Sequence, residues 1–382
     1  MSLEMIERNH CVLTGADDLE PLYQFRNFPV FMGCTDQSPD QDVLADMNWF
    51  ISRETGCIQL NPLLPQDLVY QSSHGSGSVG ALWRKHHRAL AEFIHRFQPR
   101  AVLEIGGGHG RLPTEYRRLG AIPWTILEPN PTPVEGCPAT FRQGFFDENF
   151  PAQAAVDTVV HSHVFEHMYE PDIFVQNLAK FMKRGDKMIF SLPTLQVFLT
   201  RGYTICLNFE HTALITEPYV EYLLKKHGFR VLEKQYFMED HSIFYATEFN
   251  KELKSDNRSG FINLYETNKQ LYNQYIDLHK RLILEINSNI AKTKNHIYLF
   301  GGHATSQFLL SFGLDPRYIQ RILDNDVKKH GLRLYGTNLY VESPLCLKNI
   351  ENPIVILRSG VFNEEIKQDI LNNINSTVQF LE

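Results

Sequence analysis

The chain has 382 residues, 43% hydrophobic and 21% charged, a composition typical of a soluble globular protein with two or three domains. The formal net charge of −7, without a basic stripe, argues against a nucleic-acid-binding protein. No apolar run approaches the roughly 20 residues of a membrane span, and the first residues do not resemble a signal peptide. We therefore expect a cytoplasmic protein without a membrane partner, whose six cysteines, lacking any C-x-x-C pair, are reduced thiols.

Residues 1–68 are rich in turn formers and predict a small loop-rich module. Two pieces have the outline of a zinc knuckle, C-x-x-C-G, namely Cys11-Val-Leu-Thr14-Gly15 and Ser52-Arg-Glu-Thr55-Gly56. Only Cys11 supplies an expected thiolate, and the other three positions carry hydroxyls. Because zinc prefers thiolate and imidazole ligands, we expect zinc to be lost and the module to hold no metal. The alternative is that Cys11, Cys34, Cys57 and His10 regroup around a metal.

A second domain is expected over residues 69–255. It opens with a polar stretch that contains Tyr70, followed by a helix predicted from about Val79 to Phe97 by apolar residues at helical spacing. Tyr70 is either a turn residue or part of a lid that closes over a substrate.

The stretch from Ala101 to Gly110 is the most informative in the chain. An apolar strand runs into a glycine turn, Glu104-Ile-Gly106-Gly-Gly108-His-Gly110, and a helical pattern follows at once. Glycines allow the backbone to approach a ligand closely, and strand, glycine turn and helix form the nucleotide site of Rossmann-like units. An acid followed by G-x-G-x-G is the form of this turn in S-adenosylmethionine-dependent methyltransferases. We therefore predict that Glu104, Gly106 and Gly108 bind S-adenosylmethionine, with a dinucleotide as the alternative.

The next predicted strand ends in Glu128, about 20 residues beyond the glycine turn. An acidic residue at this place can accept hydrogen bonds from ribose hydroxyls. Glu128 is therefore predicted to bind the ribose of the cofactor.

Strands continue to alternate with helices through Asp157–His163 and Met188–Pro193, which predicts an α/β fold with a parallel, doubly wound sheet. Ligands bind beyond the carboxyl ends of such strands. Three histidines and a glutamate there exceed what packing requires: His161, His163, Glu166 and His167. We include His163 in the cofactor site. Farther on, Glu210 and His211 form either a base with its orienting carboxylate or a solvated pair before a helix cap.

A polar cluster around Lys251–Gly260 marks a further boundary, and residues 256–382 form the third predicted domain. A long amphipathic helix is followed by a second strand–glycine–helix start, Ile297–Ser306, which predicts a second Rossmann-like domain. Its glycine turn, with Gly301 and His303, either binds a nucleotide group of the substrate or is structural.

Taken together, the chain resembles, over nearly its whole length, the three-domain S-adenosylmethionine-dependent sugar C-methyltransferases. These proteins join a small zinc module, a methyltransferase domain and a Rossmann-like C-terminal domain, and act on nucleotide-linked keto-deoxysugars. The resemblance rests on the following pieces: Tyr70 with Ser72-Ser73 before Trp83 and His86, Glu104-Ile-Gly106, His163-Val-Phe-Glu-His167, Glu210-His211 before a helix ending at Gly228, and Gly301-Gly-His-Ala with Asp324, Lys328 and Gly331-Leu-Arg-Leu-Tyr-Gly336.

The resemblance implies that Tyr70, His167, Glu210 and His211 line the active site. His211 would be the base that generates an enolate, and Glu210 its orienting carboxylate. His167 and Tyr70 would position the substrate and stabilise the enolate. The residues expected to contact the substrate are Tyr70, Asn208, Gly301 and His303.

Asn208 stands where the family carries a tyrosine, two residues before the Glu-His pair. Because this replacement removes a phenol, O- or N-methylation of a sugar or phosphate-bearing metabolite in surface-polysaccharide biosynthesis is the second hypothesis. The third is a catalytically silent cofactor-binding scaffold. In each case we expect a monomer or weak dimer.

Overall fold

The computed structural model describes residues 4–69, 80–151, 155–255 and 263–382, and the structural statements that follow concern these residues. The chain divides into two compact units of three segments each. The first unit contains Met1–Glu20, Ile51–Leu195 and Glu210–Tyr265, and the second contains Pro21–Phe50, Gln196–Phe209 and Glu266–Glu382. The predicted domains 1–68, 69–255 and 256–382 stay a prediction.

The strands and helices alternate along most of the chain. The strands are β1 (Leu19–Pro29), β2 (Cys34–Thr35), β3 (Leu44–Ser52), β4 (Ile58–Leu60), β5 (Val102–Ile105), β6 (Trp124–Glu128), β7 (Thr140–Gln143), β8 (Thr158–Ser162), β9 (Lys187–Pro193), β10 (Phe229–Tyr236), β11 (Ser242–Phe249), β12 (Ile297–Phe300), β13 (Ile319–Leu323), β14 (Arg333–Leu334), β15 (Val341–Glu342), β16 (Ile354–Ile356) and β17 (Gln379–Leu381). The helices are α1 (Gln66–Val69), α2 (Ala81–His95), α3 (Arg111–Tyr116), α4 (Pro171–Phe181), α5 (Leu195–Arg201), α6 (Glu217–Lys226), α7 (Tyr265–Ile290), α8 (Ala304–Ser311) and α9 (Asn363–Asp369).

The first unit is built on a seven-stranded sheet in the order β10-β11-β9-β8-β5-β6-β7. The strands from β9 to β7 run parallel, whereas β11 pairs antiparallel with both β9 and β10. Every residue of β5 is buried, as expected for a parallel strand covered by helices on both faces. The carboxyl ends of β5, β6, β8 and β9 therefore meet at one edge, where ligands of such sheets bind.

Two apolar cores hold this sheet between its helices. Because successive side chains of a strand point to opposite faces, Leu103 and Ile105 join one core, with α4 and α6, while Val102 joins the other, with α2 and α3. The glycine turn that follows β5 is thus anchored from both sides of the sheet.

The second unit contains a five-stranded sheet in the order β15-β13-β12-β16-β17, and all of its neighbouring strands are parallel. Isoleucines of α7 pack on one face and Ile366 of α9 on the other. Strand β2 pairs with β14, where the buried guanidinium of Arg333 makes a two-point ion pair with Asp42, with Nη1–Oδ2 and Nη2–Oδ1 distances of 2.6 and 2.8 Å. Such a forked geometry fixes both partners in place.

The predicted α/β fold class is confirmed, including the Rossmann-like central sheet and the second parallel sheet. Helix α6 ends at Lys226, two residues before Gly228, where a helix was expected to end. The antiparallel pair β10 and β11 was not predicted, because it extends a parallel sheet without an intervening helix. Strands β1, β3 and β4 form a separate three-stranded sheet. Within the described parts of the chain, no helix is both long and apolar enough to cross a bilayer.

Candidate active site

The glycine turn after β5 combines a packing requirement with open space. Gly106 has a φ of +71°, and a Cβ there would lie 2.6 Å from Cγ2 of Val164, so a side chain is excluded. Gly108 has a φ of +52°, but a Cβ there would meet no atom within 4 Å. The turn thus packs against the protein at Gly106 and leaves room for a ligand at Gly108.

Glu128, at the end of β6, reaches back to this turn. Its Oε2 accepts a hydrogen bond of 3.0 Å from the amide of Gly108, and its Oε1 accepts one of 3.2 Å from the amide of Asn130. Each carboxylate oxygen has a second lone pair, so both retain acceptor capacity for hydroxyl groups. The predicted ribose-binding residue and the predicted cofactor turn therefore lie together.

Glu104 lies beneath the turn and is 3% exposed. Its Oε2 accepts a hydrogen bond of 2.8 Å from the indole nitrogen of Trp124. Burial raises the pKa of Glu104, the Trp124 hydrogen bond lowers it, and the charge of Glu128 raises it, so that the pKa is about 8. At neutral pH Glu104 is therefore a carboxylic acid that braces the turn, and its predicted role in cofactor binding stays a proposal.

The segment after β8, residues 163–169, we name the first histidine segment. His163 has a φ of +53°, a left-handed conformation that is uncommon for a non-glycine residue. Its amide donates to the carbonyl of Ser191 at 2.9 Å, and its Nε2 lies 2.9 Å from the hydroxyl of Ser242. Strands β9 and β11 thus hold the imidazole at the sheet edge in an otherwise unfavourable conformation.

Glu166 is a buried carboxylate, 2% exposed, at the centre of this segment. Neither of its oxygens accepts a well-aligned hydrogen bond from a described residue. Oε1 lies 3.3 Å from Nδ1 of His163 and 3.9 Å from Nε2 of His167. Burial raises the pKa of Glu166, but His163, His167 and His211 outweigh it and lower the pKa to about 2. The carboxylate is therefore ionised, and the ion-pair partners of Glu166 among the described residues are imidazoles.

The second histidine segment, residues 210–212, lies against the first. Nδ1 of His167 is 2.9 Å from the carbonyl oxygen of Glu210, and the rings of His167 and His211 have centroids 5.2 Å apart. The amide of Thr212 donates to the carbonyl of Glu166 at 3.0 Å. Three of the predicted catalytic residues thus come together, although His167 lies 43 residues before the adjacent pair Glu210 and His211. The carboxylate of Glu166 faces the histidines, and the role of Glu210 as the orienting carboxylate of His211 stays a prediction.

A second group of histidines lies beside His163. The rings of His86 and His241 lie 5.4 and 6.1 Å from that of His163, and the Trp83 ring is about equally distant from all three. Burial, reinforced by nearby histidines, lowers the pKa of His86 well below its ordinary value and that of His241 to about 3, so both are neutral. His241 was not predicted, because it precedes the unpredicted strand β11.

Among the described residues, two groups of three side chains of metal-binding type have their ligand atoms within 4.8 Å of one another. They are Glu166, His167 and His211, and His86, His163 and His241. Imidazole and carboxylate suit zinc and other transition metals. The prediction that the chain holds no metal stays a prediction.

The remaining predicted residues lie elsewhere. Tyr70 falls outside the described residues. Asn208, Gly301 and His303 belong to the second unit. There Asn208 is buried and its amide donates to the carbonyl of Ile205 at 3.1 Å. Gly301 has a φ of +108° and ends β12, and His303 immediately precedes α8.

The two knuckle-like turns are present without four thiolates. The amide of Gly15 donates to the backbone carbonyl of Cys11 and that of Gly56 to the backbone carbonyl of Ser52, each at 2.8 Å, and both glycines have φ near +74°. The thiol of Cys11 lies 3.3 Å from the hydroxyl of Thr55, whose amide donates to the hydroxyl of Ser52. Hydrogen bonds therefore connect Cys11, Thr55 and Ser52, three of the four positions at which a zinc knuckle would carry its thiolate ligands.

Residues 82–234 match the family model described as a methyltransferase domain, which is less than half of the chain but includes the glycine turn and both histidine segments. The prediction of a methyltransferase is confirmed by this match. No curated protein matches the chain significantly.

Solved methyltransferase structures are similar to parts of the chain. The magnesium protoporphyrin IX methyltransferase of Synechocystis PCC 6803 with bound SAH is 17% identical, with a TM-score of 0.36, over 46% of this chain and 90% of that one. The 1,6-didemethyltoxoflavin-N1-methyltransferase of Burkholderia thailandensis, with bound 1,6-didemethyltoxoflavin and S-adenosylhomocysteine, is 14% identical, with a TM-score of 0.39, over 53% of this chain and 96% of that one.

Proposed function

We propose that the chain transfers a methyl group from S-adenosylmethionine to a carbon of a nucleotide-linked keto-deoxysugar. The observation that carries this proposal is the ionised, buried carboxylate of Glu166 facing His163, His167 and His211. Strongly perturbed titratable groups at the ligand-binding edge of an α/β sheet mark functional sites. Imidazoles supported by such a carboxylate suit proton removal more than simple binding.

The glycine turn fits the proposed cofactor. Gly108 has open space around it, and Glu128 retains acceptor capacity for ribose hydroxyls. Gly106 keeps the turn close to the protein, and Glu104 braces it from below. We assign His163 to the same site because it lies at the end of β8. When bound, the cofactor supplies an electrophilic methyl group on a sulfonium.

The chemical difficulty of carbon methylation explains why histidines are needed. A sugar carbon becomes nucleophilic only when a neighbouring ketone allows its proton to leave and an enolate to form. We assign His211 as the base that takes this proton, since imidazole titrates near neutral pH. The resulting imidazolium faces Glu166, whose negative charge stabilises it. His167 and Tyr70 are assigned to substrate positioning and to the enolate oxygen, and Glu210 to orienting the base.

In the second unit, Asn208, Gly301 and His303 are assigned to substrate contacts. Gly302, next to Gly301, donates its amide to Asp324 at 2.8 Å, an arrangement like that of Gly108 and Glu128 in the first unit. This likeness supports a nucleotide-binding role for the second glycine turn. A cytoplasmic protein of carbohydrate biosynthesis, monomeric or weakly dimeric, is part of the same proposal.

Asn208 favours a second candidate function. The sugar C-methyltransferases carry a tyrosine at this place, and the amide of asparagine is shorter and less acidic than a phenol. The alternative function is therefore O- or N-methylation of a sugar or phosphate-bearing metabolite. In that case His211 would deprotonate a hydroxyl or amine directly.

Hydrogen exchange at carbon separates these functions. The protein is incubated in D₂O with each of a panel of nucleotide-linked ketosugars, without S-adenosylmethionine, and deuterium is followed by NMR. The proposal expects deuterium at the carbon beside the ketone and, once S-adenosylmethionine is added, a new carbon-bound methyl group. His211→Ala should lower the exchange rate on the order of 10²–10⁴-fold with cofactor affinity nearly intact.

His296→Ala is the matched control, because His296 is exposed and belongs to the second unit, outside both histidine segments. Methyl transfer without carbon exchange would replace carbon methylation by O- or N-methylation. Cofactor binding without turnover on any acceptor would leave the scaffold hypothesis standing. Full activity of His211→Ala would remove His211 as the base.

A further inference from the structure

We propose that Arg8 is a positioning residue that fixes the two histidine segments, residues 163–169 and 210–212, relative to each other. This inference rests on the proposed function, because it gives Arg8 a role in catalysis through those histidines. The sequence gives no sign of it, since Arg8 lies in an N-terminal stretch without a motif.

The guanidinium of Arg8 donates to three backbone carbonyls from distant parts of the chain. Nη1 donates to Tyr169 at 2.7 Å, at the end of the first histidine segment. Nη2 donates to Thr212 at 2.6 Å, the residue that follows His211, and to Leu60 of β4 at 2.9 Å. A guanidinium is planar and presents its donors in fixed directions, so one side chain can set the relative positions of all three carbonyls.

Burying the charged guanidinium of Arg8 is unfavourable for the stability of the fold, because the charge loses its hydration. Arg8 is 1% exposed and, among the described residues, has no carboxylate within ion-pair distance and no partner for its Nε. Burial lowers the pKa of Arg8 to about 10, although the charge of Glu170 raises it, so the side chain stays protonated at neutral pH. A buried cation whose hydrogen bonds go to carbonyl groups, without an ion pair, stabilises a fold less than an apolar side chain of similar volume would. Stability alone therefore does not account for a buried arginine here, and we attribute its role to the fixed positions in which it holds the three carbonyls.

The contacts of Arg8 continue into the catalytic groups. The amide of Thr212 donates to the carbonyl of Glu166, and its hydroxyl donates to the carbonyl of Met168. A shift of the Thr212 carbonyl would therefore move His211 and the peptide of Glu166 together. A misplacement of about 1 Å at a reacting group can cost on the order of 10²-fold in rate.

Two substitutions of Arg8 and one control test the proposal. Arg8→Met removes the donors and keeps a long apolar stem, and Arg8→Lys keeps the charge but replaces the planar fork by a point donor. Arg53→Met is the control, because Arg53 also belongs to the first unit, near the N-terminal segments, and its side chain is 69% exposed. For Arg8→Met we expect kcat to fall roughly 10- to 100-fold, with KM and the Kd of S-adenosylmethionine within about twofold of wild type. Arg8→Lys should lie between the two, and Arg53→Met should match wild type.

A measurement that needs no turnover keeps this test separate from the proposed function. The imidazole NMR signals of His167 and His211 should shift in both Arg8 variants and stay in place in Arg53→Met. Shifted signals in a protein that methylates no acceptor would refute the proposed function and support the positioning role. Unchanged imidazole signals, full kcat in Arg8→Met, or equal losses of kcat and of cofactor binding would each overturn the proposal. Should Arg8→Met fail to fold, the same criteria apply to Arg8→Lys.

Discussion

Oε1 of Glu166 lies 3.3 Å from Nδ1 of His163, closer than the 3.9 Å to Nε2 of His167, and neither carboxylate oxygen has a hydrogen-bond partner among the described residues. A buried carboxylate normally accepts several hydrogen bonds. Here His163, His167 and His211 lie close to it instead and hold the pKa of Glu166 at about 2. The predictions below begin from this centre.

Glu166→Gln should lower kcat about 10- to 100-fold and leave the affinity for S-adenosylmethionine nearly unchanged. The substitution preserves the side-chain shape but removes the charge that stabilises an imidazolium, an interaction of about 1.5–3 kcal/mol for a charged partner. Steady-state kinetics and calorimetry measure the two quantities. Glu170→Gln is the control, since Glu170 lies in the adjoining turn with its side chain 36% exposed. Equal kcat values for wild type and Glu166→Gln would contradict the role of the carboxylate.

Glu104→Gln should remove a pH dependence of stability. The folded pKa of about 8 lies above the ordinary value of 4.5, so between these pH values the folded protein holds a proton that the unfolded chain releases. Wild-type stability therefore falls as the pH rises through this window, whereas glutamine accepts the Trp124 hydrogen bond without ionising.

Denaturant unfolding at several pH values measures the effect as the difference in free energy of unfolding between variant and wild type. As the pH rises towards 8, the free energy of unfolding should fall for the wild type relative to Glu104→Gln. The exposed Glu92→Gln on α2 serves as the control and should give a constant difference. A constant difference for Glu104→Gln as well would show that Glu104 is ionised in the folded protein.

Glu128→Ala should weaken S-adenosylmethionine binding by about 1.5–3 kcal/mol, as expected for losing hydrogen bonds to a charged acceptor. The variant also frees the amide of Gly108. Isothermal titration calorimetry measures the change directly. Unchanged affinity would remove Glu128 from the cofactor site, and Glu115→Ala, on the helix that follows the same turn, gives the matched control.

Protein purified without chelators should contain no stoichiometric zinc, because three of the four knuckle positions carry hydroxyls that hydrogen bond to other groups. Replacing all three by cysteine, in Thr14→Cys/Ser52→Cys/Thr55→Cys, should create a site with Cys11 that binds about one zinc ion. Elemental analysis of both proteins measures the metal content. Zinc in the wild-type protein would contradict the prediction, and loss of that zinc in Cys11→Ala would show that Cys11 recruits other ligands.

The sequence by itself determined the elements whose signals are local. The glycine turn at Gly106–Gly110, the acid at Glu128 and helix α6 follow from turn chemistry, apolar periodicity and residue spacing. The histidines after β8 were also predictable, because they directly follow a strand whose carboxyl end lies at the ligand-binding edge.

Only the tertiary structure decided which charged groups face one another. Arg8 meets Thr212 across 204 residues, and Ser242 of the antiparallel strand β11 holds His163 across 79. The tertiary structure also showed that Glu166 is buried among histidines. The residues next to Glu166 in the sequence do not indicate whether its side chain is buried or exposed. The physical reason is that burial and long-range hydrogen bonds arise from the packing of the whole sheet and its helices, whereas local patterns report only the conformation of the segment that contains them.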